Sequence, residues 1–371
     1  MKITGIEAFP VHLPMSIPYI TALTHKKTCE AIITVVHTDE GIDGLGQATA
    51  SAPGYSPFEQ TLDGMLLVIR DLITPAVTGL DPFEAGVLHE RMEKVSRGHL
   101  YAHAAVDMAC YDIMGKATGR SVATLLGGAR RETIPLVAPH LGYLEPERIA
   151  ELALEYRAQG YKALNLRVGK DLQEDIRILT AVRDAVGDTM TLDVDFSQSL
   201  SLFHHRPDTA IAYIRRLEEF DIQSVEQPLS QNELEGMAKI AQAVDIPLIA
   251  DEGVCTPADV LRVVRMGAGD IIKIKIMKVG GFYPAQQIAA ICQTAGVPMT
   301  VGHGIAATIQ NAAEAHFAFS LTHLKLPGEM NGFFRVGEDV AEGLHIRNAE
   351  LLMPEGPGLG VEVREGALAA G

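Results

Sequence analysis

The sequence predicts an α/β protein built on a parallel (β/α) barrel, with a smaller α+β segment ahead of it. Three observations carry this prediction. From residue 134 onward short β-rich runs alternate with amphipathic helices. Seven such runs stand out, at 134–137, 163–168, 190–195, 222–226, 248–251, 271–275 and 299–301, with a less distinct eighth near Leu324. No glycine-rich phosphate loop follows the first run, as it normally would in an open doubly wound sheet.

Ahead of the barrel, alternating apolar residues at 3–11 and 32–37 predict strands of an antiparallel sheet. A turn is expected over 39–46. Its glycines, Gly41, Gly44 and Gly46, are spaced G-x-x-G-x-G, which is not the dinucleotide fingerprint, and no long helix opens directly after them. Helices are predicted over 57–72 and 100–118, and Gly127 and Gly128 mark a boundary. Within the barrel, the helix predicted over 146–159 places Ile149, Leu152, Ala153 and Tyr156 on one face. After about Gly332 the βα pattern stops, and the Pro/Gly-rich end is expected to pack back on the N-terminal segment. The division expected is therefore a domain at 1–130, completed by a tail at about 333–371, and a barrel at 131–332.

The composition narrows the function. The 371 residues are 47% hydrophobic and 21% charged, a globular mix. A formal charge of −16 repels phosphate backbones and anionic membranes, which argues against nucleic acid or membrane as a partner. The four scattered cysteines, Cys29, Cys110, Cys255 and Cys292, read as free thiols of a reducing compartment, so a cytoplasmic location is expected. The N-terminal pattern and the lack of an apolar stretch of 18 or more residues signal neither export nor membrane insertion, so neither is expected.

A barrel of this kind places its active site at the C-terminal ends of the strands, so the residues that end each run are the candidates. The third run ends in Asp195, the fourth in Glu226, and the fifth in Asp251 with Glu252 beside it. A single solvated acid at a strand end is common. Three on successive strands would repel one another unless a cation neutralised them. All-oxygen ligands, one per strand, favour Mg2+, with positions left for water and substrate. The sixth run carries Lys273 and Lys275 at period two, with Lys278 just beyond. A lysine whose pKa is lowered by burial and a nearby cation suits proton removal, although Lys273 can equally be an ion-pair partner of the acids. His303 after the seventh run reads either as an acid or base or as a structural histidine, and Glu329 can close the polar ring.

These stretches together resemble the enolase superfamily, in the branch of the mandelate racemases and muconate lactonizing enzymes. The resemblance covers nearly the whole chain. It is carried by AAVDMACYDIMGKATGRSVATLLGG, GYKALNLRVG, DFSQSL, VEQP, ADEG, KIKIMKVGG and PEGPGLGVE. It implies a modified (β/α)7β TIM-type barrel with an N-terminal α+β capping domain. It also implies Mg2+-dependent removal of the proton α to a carboxylate through a metal-stabilised enediolate, with a Lys or His base. Carried over residue by residue, Asp195, Glu226 and Asp251 match the metal ligands and Lys275 matches the base of the lactonizing type. The loops at 17–25 and 51–55, which include Tyr55, match the segments that cover substrate. A homo-oligomer acting on a small-molecule carboxylate is expected.

The departures bear on the reaction. Where the family has Lys-x-Lys on the second strand, this chain has Asn165-Leu166-Arg167, and arginine is a poor proton acceptor. Ser197 stands where many relatives have Asn, Gln47 replaces a common glutamate, and 200–208 reads as an extended loop carrying His204 and His205. A single capable base favours β-elimination of water, a dehydratase, with His303 or the protonated Lys275 assisting the leaving group. The alternatives are a racemase or epimerase, a cycloisomerase, or a member that binds a carboxylate without turnover.

Overall fold

The structure, a computed structural model, describes residues 1–20, 25–50, 60–139, 142–204, 206–302 and 306–368. The alternating N-terminal pattern forms an antiparallel sheet of β1 (Ile3–Ile20), β2 (His25–Thr38) and β3 (Gly44–Thr49), in that order. The turn is shorter than the sequence suggests, because Gly44 and Gly46 belong to β3. Packing explains why. The helix Leu100–Thr118 crosses β3 so closely that a Cβ on Gly44 would lie 2.0 Å from the Ala109 carbonyl oxygen, and one on Gly46 1.8 Å from that of Ala105. Only glycine permits this approach.

The helix Leu100–Thr118 keeps its expected bounds, and Gly119 ends it in the left-handed conformation. The helix expected over 57–72 runs from Leu62 to Val77 with a π turn at Val68–Ile73, capped at its start by the Thr61 side chain. The first residues of that expectation lie outside the described ones. A further helix, Ala85–Val95, was not expected from the pattern.

After β4 (Thr133–Pro135), six parallel strands follow, each flanked by a helix: β5 (Ala163–Arg167), β6 (Thr191–Asp195), β7 (Ile222–Glu226), β8 (Leu248–Ala250), β9 (Ile271–Ile274) and β10 (Met299–Val301). They pair in chain order in one sheet. The ring is closed by irregular backbone contacts. Met299 bridges Leu324, Leu136 bridges Gly328, and the Ala138 N–H donates to the Ala163 carbonyl at 2.9 Å. The first and eighth barrel strands are thus single bridges instead of full ladders. The cause is that β4 pairs outward, antiparallel to the strand Glu350–Leu352. The fold is a modified (β/α)7β barrel with an antiparallel cap.

The chain after Gly332 runs first beside β1. The Ser16 N–H donates to the Arg335 carbonyl at 2.6 Å and the Gly337 N–H to the Pro14 carbonyl at 2.9 Å. Further on, the Leu359 N–H donates to Asp112 on the helix Leu100–Thr118 at 2.8 Å. The stretch read as a long loop at 200–208 is largely helical, in Ser199–His204 and from Pro207 to Leu217, with Pro207 at a first helical position. His205 and the side chain of His204 lie outside the described residues. All four cysteines are buried, and none forms a disulfide among the described residues. Among the described residues no helix is long and apolar enough to cross a membrane.

Candidate active site

The parallel register sets the acidic side chains side by side. Arg167 on β5 lies opposite Asp195 on β6, and Asp195 opposite Glu226 on β7, while Asp251 directly follows β8. All three acids are at most 5% exposed. The turns beyond these strands are tight. Ser197, Gln198 and Gln227 have φ of 47°, 67° and 36°, a sparsely populated region for side-chain-bearing residues. Gln227 splints β7 to β8, accepting from the Asp251 N–H at 2.9 Å and the Gly253 N–H at 3.2 Å and donating to the Leu229 carbonyl at 2.9 Å.

Each acid is answered by a cation. Asp195 pairs with the Arg167 guanidinium and accepts from the Ser197 N–H at 2.6 Å and hydroxyl at 3.0 Å. Lys273 Nζ lies 2.5 Å from Glu226 and 2.8 Å from Glu329. Lys275 pairs with Asp251 Oδ2, and Lys278 reaches Asp251 Oδ1 at 2.7 Å and the Lys273 carbonyl at 3.1 Å. Gly302 leaves the space this needs, since a Cβ there would lie 2.6 Å from Lys273 Cε.

The three acids therefore share adjacent strand ends, but their side chains are turned to separate partners. Among the described residues no three His, Cys, Asp or Glu side chains form a compact metal cluster. Buried like charges cannot crowd together without positive charge between them, and here lysine and arginine supply it. The donor chemistry still fits a hard divalent ion: all oxygen, all anionic, one per strand on three neighbours. A fourth acid reinforces the point. Glu252 is buried, its Oε2 has no partner among the described residues, and burial and the Asp251 charge push its carboxyl up to about 8.

The lowered pKa expected for Lys275 assumed a cation beside it, and with the acids alone the direction is upward. Burial favours its neutral form, but Asp251, Glu252 and Glu226 outweigh that and hold it well above the usual lysine range. Asp251 answers in kind, since burial opposes its ionisation but Lys275 and Lys278 keep its carboxyl well below the usual range. On the strand-two side, Asn165 Nδ2 donates to Glu329 at 2.8 Å, and its Oδ1 has no partner among the described residues. Burial disfavours charge on Glu329, yet Lys273 and Arg167 lower its carboxyl to about 2. Gln47 is buried and accepts from the Gln310 N–H at 3.0 Å. Of the residues expected at the mouth, the structure brings together Asn165, Arg167, Asp195, Glu226, Asp251, Lys273, Lys275 and Glu329. His303 and Tyr55 lie outside the described residues. Reading the sequence for strand ends missed the splint of Gln227, the clamp of Lys278 on Asp251, and Arg335, which reaches this mouth from the tail.

Two family models match the chain: the mandelate racemase / muconate lactonizing enzyme N-terminal domain over residues 3–127, and the enolase C-terminal domain-like model over 148–367. The chain belongs to the mandelate racemase and muconate lactonizing enzyme branch of the enolase superfamily. It is similar to the N-succinyl-L-Arg/Lys racemase of Bacillus cereus, at 32% identity over 99% of this chain and 97% of that protein. The crystal structure of that racemase superposes with a TM-score of 0.94 at 30% identity, covering 100% of this chain and 97% of that one. The hydrophobic dipeptide epimerase of Enterococcus faecalis is 32% identical over 97% of this chain and 99% of that protein. Its structure with Mg and the dipeptide L-Leu-L-Tyr gives a TM-score of 0.91 at 30% identity, covering 97% of this chain and 99% of that one. The cis-3-hydroxy-L-proline dehydratase of Roseibium aggregatum is 30% identical over 97% of this chain and 96% of that protein. This member of the superfamily is accordingly an enzyme, of a family whose mechanism is Mg-dependent.

Proposed function

We propose that Lys275 removes the proton α to a substrate carboxylate, and that the reaction completed is β-elimination of water from a hydroxylated acid. One observation carries this reading. Of the three site lysines, Lys275 alone reaches the open mouth, with its side chain 13% exposed against 1% for Lys273 and 3% for Lys278. Opposite it, β5 offers no second amine, because Arg167 is pinned to Asp195 and Asn165 to Glu329.

Asp195, Glu226 and Asp251 are the residues that would hold Mg2+, which supplies fixed positive charge to the substrate carboxylate as negative charge moves onto it. Lys275 would accept the α-proton as the free amine, the form that burial favours once Asp251 serves the metal in place of the ammonium. The Cα–H electrons form the Cα–Cβ double bond and the Cβ–O bond breaks, with the ammonium of Lys275 returning its proton to the departing hydroxide as water. Asn165 Oδ1, without a partner, can accept from the substrate hydroxyl and orient it. Arg167, charged and held by Asp195, stabilises anionic groups on the other face.

A second reading is 1,1-proton transfer, favoured by the likeness to a racemase and an epimerase. It needs a proton donor across the α-carbon from Lys275. Incubating the enzyme in deuterated water with acid sugars, hydroxyprolines, betaines and N-acyl amino acids separates the two. Loss of water is the expected result. A product of unchanged formula with an inverted, deuterated α-centre would instead establish proton transfer.

The ligand set makes its own prediction. Glu226→Gln is expected to weaken Mg2+ binding by at least about a hundredfold, since even groups that only orient metal ligands contribute tenfold to a hundredfold. Its circular dichroism should be unchanged. Calorimetry that found unaltered affinity would remove Glu226 from the set.

A further inference from the structure

Among the described residues Arg335 is a cation of this mouth with no carboxylate in ion-pair contact. The residue is 1% exposed. Arg167, Lys273, Lys275 and Lys278 each face a carboxylate. Among the described residues none of the three guanidinium nitrogens of Arg335 has a hydrogen-bond partner. Only its backbone is engaged, donating to the Gly332 carbonyl and accepting from the Ser16 N–H. The Tyr19 ring lies 5.9 Å from it and 5.8 Å from Arg167, an arrangement that favours positive charge but offers no acceptor to the N–H fork. Burial lowers its pKa only to about 10, so the group is charged at neutral pH. A buried, charged and unbonded guanidinium is strongly unfavourable unless an anion completes it.

The space beside it shows what kind of anion. Arg335, Tyr19, Asn165, Arg167, Glu329 and Asn331 line a cavity of about 20 Å³, room for one small polar group. Glu329 shares Lys273 with Glu226 and lines the same cavity, but it accepts no hydrogen bond from the Arg335 guanidinium, so the N–H fork is left open to an anion. A water molecule would leave the positive charge unbalanced. A carboxylate balances it and matches the planar fork with two oxygens, whereas a phosphate is bulkier than the space. Because Asn165 and Arg167 form the strand-two side of the mouth, an anion held there is continuous with the substrate site.

We infer that Arg335 is a specificity-determining residue that binds a second carboxylate at the far end of the substrate, which makes the substrate a dianionic acid. This deepens the reading of the chain as an enzyme of α-carboxylate acids and rests on it, but it does not depend on whether water is lost.

Binding tests it without turnover. The probes are succinate, glutarate and adipate, each against its half-amide, which has the same shape and one charge fewer. With the Mg2+-loaded protein, calorimetry should show at least one diacid bound about tenfold or more tighter than its half-amide, the range of a charge-assisted pair. Arg335→Met should reduce that preference to within about threefold. Arg335→Lys should retain part of it, and serves if the methionine variant fails to fold. Lys275→Ala should keep all of it while losing α-proton exchange, so that a failure of the base assignment is read separately. No preference in the wild-type protein for any diacid, or a full preference surviving in both Arg335 variants, would overturn the inference.

Discussion

Replacing Lys275 by alanine is expected to lower α-proton exchange by up to about 10⁴-fold, the full contribution of a positioned general base. The size of the effect follows from the lack of a substitute. Lys273 is fully buried between Glu226 and Glu329, Lys278 is turned to Asp251 and two backbone carbonyls, and Arg167 is ion-paired. None of these can move to the α-carbon without breaking a buried pair. The fold should survive, because Asp251 keeps Lys278 at 2.7 Å when Lys275 is removed. Proton exchange followed by NMR in deuterated water, with circular dichroism as the control for folding, is the measurement. Exchange persisting near the wild-type rate would transfer the role of base to another group.

How far this site could be read from the sequence depends on the range of the contacts that build it. Asp195, Glu226 and Asp251 end apolar runs on consecutive parallel strands, and β/α geometry always delivers such residues to one face, so spacing alone located them. The same logic placed Lys273 and Lys275. What each carboxylate does with its charge was not readable, because it depends on side-chain partners from different strands. Lys275 illustrates this, since its direction of shift is set by Asp251, which lies 24 residues away in sequence.

Contacts across the whole chain leave no local pattern at all. Arg335 enters the mouth because residues 335–337 lie along β1, 319 residues earlier in the sequence. The tail also takes β4 as a partner, which is why the first barrel strand is irregular although its residues are apolar. Gly44 and Gly46 read as a turn because glycine usually signals one, whereas here they answer the backbone of a helix some 60 residues on.

Lys273→Met is expected to cost about 3–5 kcal/mol of unfolding free energy when no divalent ion is present, the usual penalty for removing one partner of a buried ion pair. The sequence left Lys273 as an alternative ion-pair partner of the acids, and in the structure it pairs with two of them. Burial alone would lower its pKa, but Glu226 and Glu329 raise it, so it stays protonated between two carboxylates. Without it, both acids remain buried in the mouth and lose the ammonium that bridges them. Methionine fills most of the same volume, so the loss reports charge and not a cavity. The second substitution decides the cause. In Lys273→Met/Glu329→Gln one of the two stranded charges is gone, and part of the stability should return, measurable as non-additivity in chemical denaturation. If the double variant were instead less stable by the simple sum of the two single losses, Lys273 and Glu329 would not be coupled, and the pair would have no part in holding the mouth together.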